Sequence, residues 1–399
     1  MKFAFRKLKY IHLRDIGDFF LILFAFIPGM ILKLLKRDIW LIAERENDAH
    51  DNGYWLYKYI RENYPEKHVY YCISFRCKDY RERIAPLGNA IRYGSFKHHI
   101  YFWAAKKYIS PHIGNGFPAP FMCRLFLMHG FYFFKVYFLQ HGVTKNIPPY
   151  LMSEVNKIDV FIASSPREQK SIIEDLHYKP EQVVCTGMCR FDNLLNAKVI
   201  PNRVLIMPTW RWWLQPEHGQ PAESIIKDIR ESNYFKNLMA LFSNEKLIQF
   251  AKEQNLELVY FPHNQMQPFL SMFQEKLPHI TCAFYQEYDV QQALMDSALL
   301  ITDYSSIDFD FAYMKKPLIY FQPDQEEFRE RHYPEGHFKC ETDGFGPVCK
   351  TVEDVVEQLI LSHRQSFQMT EEYKKRVDEF FTFRDSENTK RNYIYIEES

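Results

Sequence analysis

The chain has 399 residues, more than one typical domain holds and about enough for two. Its 47% hydrophobic and 25% charged residues are ordinary for a folded protein and exclude a disordered one. Lys plus Arg equals Asp plus Glu at 50 each, so net charge gives no drive toward nucleic acid, and an anionic partner must meet a local patch.

The first element is unlike the rest. MKFAFRKLKYIHLR is basic and amphipathic, residues 19–32 are an unbroken apolar stretch, and KLLKR follows at once. Fourteen apolar residues fall short of a bilayer span, and Pro28-Gly29 is expected to break the helix. A signal peptide competes, but no small-x-small cleavage site follows. A buried pair of core helices is the plain alternative. Cations on both flanks suit an anionic leaflet, at about 1 kcal/mol each near the surface. Residues 1–37 are therefore expected to be a membrane-association segment lying in the cytoplasmic face.

From Asp38 onward, short apolar runs alternate with amphipathic segments. IWLIAE (39–44) reads as a strand and DNGYWLYKYIREN (51–63) as a helix capped by Asp51 or Asn52. HVYYCIS (68–74) is a strand and FKHHIYFWAAKKY (96–108) a helix. KVYFLQ (135–140), IDVFIASS (158–165) and VVCTG (183–187) are strands, and PREQKSIIEDL (166–176) is a helix opening on Pro. NAKVIPNR (196–203) interrupts the pattern. It restarts with strands RVLIMP (203–208), LELVYFP (256–262), ALLIT (298–302) and PLIYF (317–321). Helices are read at 244–255, 289–297 and 305–314, with two more closing the chain.

Continuous apolar strands alternating with helices predict parallel sheets covered on both faces. The expected architecture is α/β: two Rossmann-like domains, at 38–200 and 201–365, facing a cleft, with 366–399 as a closing helix and tail. There is no GxGxxG, which removes the dinucleotide fingerprint. The eight Cys contain no CxxC pair and read as reduced core residues rather than a zinc site.

Open parallel sheets bind ligands beyond the carboxyl ends of their strands. Polar residues follow those ends repeatedly: His141-Gly142 and Lys145; Arg190 with Asp192 behind it; Thr209-Trp210-Arg211; His263-Asn264; and Asp303-Tyr304-Ser305-Ser306. A lone His at such a place is commonly structural. Two His, two Arg, a Lys and a Ser pair together suit an anion, with His as the natural base near neutral pH. Ser305 and Ser306 sit where a helix begins, so a phosphate docks there or, equally, Ser305 and Asp308 form a capping box.

LQHGVTKN (139–146), TGMCRFDNLL (186–195), MPTWR (207–211), YFPHNQ (260–265) and TDYSSIDFDFAYMKKPLIYFQPD (302–324) resemble the CDP-glycerol glycerophosphotransferase family of teichoic-acid synthesis. WLIAERENDAHDNGYWLYKYI (40–60) is similar to the start of that family's catalytic region. The resemblance spans about residues 40–330. It implies a GT-B-like fold with the nucleotide held mainly by the C-terminal domain. It also implies transfer of glycerol phosphate from CDP-glycerol, or ribitol phosphate from CDP-ribitol, to a membrane-linked teichoic-acid or related acceptor, releasing CMP. His141 would take the acceptor proton. His263, Ser305 and Ser306 would contact the donor phosphates, with Arg211, Thr209, Asp303, Lys145 and Arg190 as further substrate-binding positions.

Where many members read Trp-His-Gly-Thr-Pro-Leu-Lys, this chain has Gln140-His141-Gly142-Val143-Thr144-Lys145, which leaves the alditol and acceptor open. The chain is short beside the large polymerases, which points to a primer-type enzyme. No cofactor or metal is expected, because cationic side chains can stabilise the phosphate. The expected partners are the lipid-linked acceptor and an anionic membrane surface, not nucleic acid; assembly into a homo-oligomer is left open. A nucleotide-sugar GT-B glycosyltransferase and a non-catalytic CDP-binding membrane protein are the rival readings.

Overall fold

The computed structural model describes residues 13–36, 38–113, 119–215, 220–274, 277–285 and 287–399. The basic stretch 1–12 lies outside them. The chain forms two compact units. The first takes residues up to Val143, then Pro149–Asp192 and Asp385–Ser399; the second takes Thr144–Pro148 and Asn193–Arg384.

The first unit is built on strands β1 (Trp40–Ala43), β2 (Val69–Ile73), β3 (Ala90–Arg92), β4 (Lys107–Ser110), β5 (Lys135–Phe138), β6 (Val160–Ala163) and β7 (Val183–Cys185). They pair in the order β3-β2-β1-β4-β5-β6-β7, every pair parallel. All residues of β1, β2 and β6 are buried, which is why these strands read as apolar runs. The order of strand addition reverses between β1, which continues to β2, and β4, which continues to β5. That reversal opens a crevice at their carboxyl ends.

Polar caps place the helices between strands. Asp51 accepts from Asn52 N ahead of the helix Asn52–Asn63, and Ser95 accepts from His98 N ahead of Phe96–Ala104. Ser165, followed by Pro166, does the same for Pro166–Glu174. The helix expected at 96–108 stops at Ala104, and Lys107–Ser110 is a central strand instead. The two lysines hid it. Lys107 is buried with its ammonium 4.8 Å from the Trp40 ring centroid, and it donates to Ile396 O at the end of the helix Asn388–Glu398.

The two closing helices fall in different units. Glu371–Phe380 belongs to the second unit, whereas Asn388–Glu398 packs in the first. Tyr393 stacks on Tyr64 at 4.3 Å, and Tyr393 and Ile396 join the core of the first unit. Asp192 explains the anchoring: its carboxylate accepts from Asn388 N, Asn388 Nδ2 and Thr389 N, at the positive end of the helix.

Pro28-Gly29 does not break the N-terminal helix, which runs from Leu13 to Leu35. Tertiary packing overrides the proline. Gly29 lies so close to the helix Phe96–Ala104 that a Cβ there would stand 2.8 Å from Ile100 O, and Trp103 Nε1 donates to Ile22 O at 2.8 Å. Its continuous apolar window, Gly17–Leu35, is long enough by length and composition to cross a membrane, against the shorter stretch read from sequence. One face, with Ile22 and Ala25, is buried, while Phe24, Ile27, Leu34 and Leu35 are exposed.

The second unit contains β8 (Ile200–Ile206), β9 (Glu257–Tyr260), β10 (Thr281–Cys282), β11 (Ser297–Thr302), β12 (Leu318–Phe321) and β13 (Val348–Cys349). The order is β10-β9-β8-β11-β12-β13, again all parallel. Its core draws on Val204, Leu258, Leu299, Ile301, Ile319 and the surrounding helices. Here the reversal falls between β8 and β11, so this unit's crevice lies past Met207 and Thr302.

Candidate active site

Each unit gathers its polar residues at its own reversal point. In the first unit, the β1 loop delivers Asp51, the β4 end delivers His112 and the β5 end delivers His141. His141 Nδ1 lies 2.5 Å from Asp51 Oδ2; the His141 side chain is 62% exposed and that of Asp51 only 6%. Arg190, entering after β7, donates from Nη1 to Asp51 Oδ1 at 2.7 Å and to His141 O at 2.6 Å. The His112 ring packs on that of His141, centroids 4.8 Å apart.

The neighbouring backbone is fixed with equal care. Buried Asn52 donates to Gln140 O at 2.7 Å and accepts from Arg190 N at 2.9 Å, binding the loops after β5 and β7 to its own helix. Gln140 takes a left-handed conformation, φ 60°, and its amide donates to Glu168 Oε1 at 3.0 Å. Glu44, at the end of β1, accepts from His50 N, Asp51 N and Tyr54 N, which shapes the loop carrying Asp51.

In the second unit, Asp303 accepts from Thr209 N at 2.7 Å and from Arg211 Nη1 at 2.8 Å. Arg211 also forks onto Asp324, Nε to Oδ2 at 2.8 Å and Nη2 to Oδ1 at 3.0 Å, and is 3% exposed. Burial alone would lower its pKa, but Asp303 and Asp324 hold it above the ordinary value. Every donor nitrogen of Arg211 is thus committed to the ends of β8, β11 and β12. Arg211 and Asp303, both expected at the substrate, are thus buried against each other and Asp324, where they brace the strand ends.

Lys145 is likewise buried. It donates to Asp308 Oδ2 at 2.7 Å and to Ser305 O at 2.9 Å, so it supports the Ser305-Ser306 turn rather than offering a free cation. The capping box is absent too. Asp308 faces Lys145 and the Tyr320 hydroxyl at 3.0 Å, and Ser306 occupies the cap position without a side-chain bond to the helix Ile307–Tyr313. Ser305 and Ser306 are half-buried; Ser305 Oγ accepts from Ile307 N only at a long 3.5 Å, and the Ser306 hydroxyl makes no cap bond. Thr209 Oγ1 is buried with no hydrogen-bond partner among the described residues. His263 is half-buried and stacks on Trp210 at 5.7 Å and 17°.

Asp51 appeared in the sequence only as a helix cap, and His112, Asp324 and Trp210 had no assigned role. The strand-end rule finds Asp51 after β1 and Asp324 after β12 once applied to those strands. His112 was out of reach because β4 was taken for helix.

Asp51, His112 and His141 each present a ligand atom within 4.8 Å of the others, a spacing that could hold a cation. Within this group, Oδ2 and Nδ1 are in hydrogen-bond contact and the Arg190 guanidinium lies on Oδ1.

The chain is 33% identical over 364 residues to the minor teichoic acid biosynthesis protein GgaB of Bacillus subtilis (strain 168). That match covers 90% of this chain and 39% of GgaB, so the chain spans well under half of that relative. Over a shorter stretch of 71 residues it is 42% identical to the teichoic acid poly(glycerol phosphate) polymerase of the same organism, covering 18% of this chain and 9% of the polymerase. A solved structure of the wall teichoic acid polymerase TagF superposes with a TM-score of 0.65 at 14% identity, over 97% of this chain and 98% of that one, which establishes a shared GT-B-like fold. The family model for CDP-glycerol:poly(glycerophosphate) glycerophosphotransferases matches residues 26–398, taking in both reversal points and their histidines, and the chain belongs to that family.

Proposed function

We propose that this chain transfers glycerol phosphate from CDP-glycerol to a hydroxyl of a teichoic-acid acceptor. The supporting observation is the exposed imidazole of His141 at the carboxyl edge of the first sheet, in a chain of this family. The acceptor hydroxyl attacks the β-phosphorus of the donor in line. Its proton passes to His141, the new oxygen–phosphorus bond forms, and the bridging oxygen leaves with CMP.

Donor binding falls to the second unit, at Ser305, Ser306, the Thr209 hydroxyl and His263. Arg211, Asp303, Asp324 and the Lys145–Asp308 pair hold those residues in place without solvent reorganisation, the property that makes fixed donors effective toward a developing charge. The acceptor is proposed to be lipid-linked. The exposed apolar face at Phe24, Ile27, Leu34 and Leu35, with Phe131 and Phe133 also exposed, would rest in the cytoplasmic leaflet.

A donor panel tests the reading. CDP-glycerol, CDP-ribitol and UDP-sugars are each incubated with a lipid-linked disaccharide, and CMP or UDP release is followed. CMP release from CDP-glycerol that depends on acceptor supports it. Release from CDP-ribitol alone would change the alditol, UDP release would make the chain a glycosyltransferase, and acceptor-independent CMP would make it a hydrolase.

A further inference from the structure

We infer that Asp51 is a positioning residue for the transfer: its hydrogen bond to Nδ1 holds the His141 ring in the form whose Nε2 accepts the acceptor proton. The inference rests on the reading of His141 as the base.

The accounting of Asp51's oxygens carries it. Oδ1 accepts from Asn52 N at 2.8 Å and Arg190 Nη1 at 2.7 Å, and Oδ2 faces only the His141 ring among the described contacts. An ionised carboxylate is purely an acceptor, so Nδ1 carries the hydrogen and Nε2 keeps its lone pair. Burial alone would raise the Asp51 pKa, but Arg190, His141 and His112 more than offset it, and the carboxyl stays well below the usual range.

The surroundings preserve that arrangement. His112, whose pKa is pushed down by burial and then by His141 and Arg45, packs on the ring as a neutral wall. Glu44 is pushed up to about 7 by burial and by Asp51, with His50 opposing, and it spends its oxygens on the Asp51 loop. His50 is turned to Asp79 at 3.1 Å. Arg190 joins carboxylate and His141 carbonyl through one nitrogen, so ring and anchor share a frame. When His141 becomes an imidazolium, the Asp51 charge lies directly against it and lowers the energy of that state.

The test uses Asp51→Asn in the full chain. The amide oxygen of the replacement is held at the Oδ1 position by Asn52 N and Arg190, so its NH2 points at Nδ1 and forces the opposite tautomer. Long-range proton–nitrogen spectra on 15N-histidine protein, assigned against His141→Asn, read the tautomer directly. The wild type is expected with hydrogen on Nδ1 and D51N with hydrogen on Nε2. In D51N, kcat falls by roughly 10²- to 10⁴-fold and KM for CDP-glycerol moves less than about threefold. A wild-type Nε2–H tautomer overturns the inference even if D51N fails to fold. So does a D51N rate within about tenfold of wild type. If the wild type turns over no CDP-alditol, the functional reading fails while the tautomer still decides Asp51's part.

Discussion

Replacing Lys145 by Met isolates one buried ion pair at the Ser305-Ser306 turn. The two side chains are 5% and 0% exposed, and the contact is 2.7 Å. Breaking such a pair from one side costs about 3–5 kcal/mol, because a buried charge is left alone. Asp308 keeps two donors, the Tyr320 hydroxyl and Phe309 N, both at 3.0 Å, which places the expected loss at the lower end, about 3 kcal/mol. For a unit of this size that is about 6–12 °C in its melting temperature.

The pH dependence has a definite sign. Burial raises the Asp308 pKa in the folded chain above its unfolded value, with Lys145 and Tyr320 opposing. Losing Lys145 raises it further, so the folded state favours the protonated carboxyl. The deficit is full above the raised value and shrinks as pH falls through it, so it is compared at high and at low pH. Adding Asp308→Asn to Lys145→Met removes the charge yet keeps an acceptor for Tyr320, and should recover most of the loss. Urea unfolding of the two variants and of D308N closes the cycle. A deficit below about 1 kcal/mol, the same deficit at both pH values, or a double variant no better than K145M would refute the reasoning.

Arg211→Lys keeps the charge but cannot fork onto Asp303 and Asp324; it should lose about 2–4 kcal/mol by urea unfolding, while the folded fraction binds CDP-glycerol within about threefold of wild type. Unchanged stability with a large affinity loss would make Arg211 a phosphate ligand after all. Ser305→Ala with Ser306→Ala should leave the melting temperature nearly unchanged and raise KM for CDP-glycerol about tenfold, since Ser306 makes no cap bond and Ser305 Oγ meets Ile307 N only at 3.5 Å. Equal losses in stability and affinity would assign these serines to the fold.

The sheets were legible because strands buried on both faces cannot alternate, and ALLIT followed by TDYSS and an amphipathic run marks a strand end whatever the tertiary setting. The strand Lys107–Ser110 was not legible. Its polar face is satisfied by Trp40 and by the carboxyl end of a helix nearly 300 residues away in sequence, a partner no local pattern reveals. Pro28 misled for the same reason, because packing at Gly29 and Trp103 outweighs a local propensity. At the site, residue types were legible but their assignments were not. Arg211 and Lys145 look like phosphate ligands in sequence, and only the structure reveals their burial against Asp324 and Asp308. Asp51 looked like a cap, and it is one; its second oxygen carries the rest of the story.

The most direct measurement of the central claim is the mass of a lipid-linked acceptor after incubation with CDP-glycerol and either wild-type chain or His141→Ala. The account predicts acceptor heavier by one or more glycerol phosphate units with the wild type, matched by CMP, and a rate roughly 10²- to 10⁴-fold lower for H141A at unchanged CDP-glycerol affinity. Acceptor of unchanged mass with active wild-type chain, or H141A within about tenfold of it, would contradict the account.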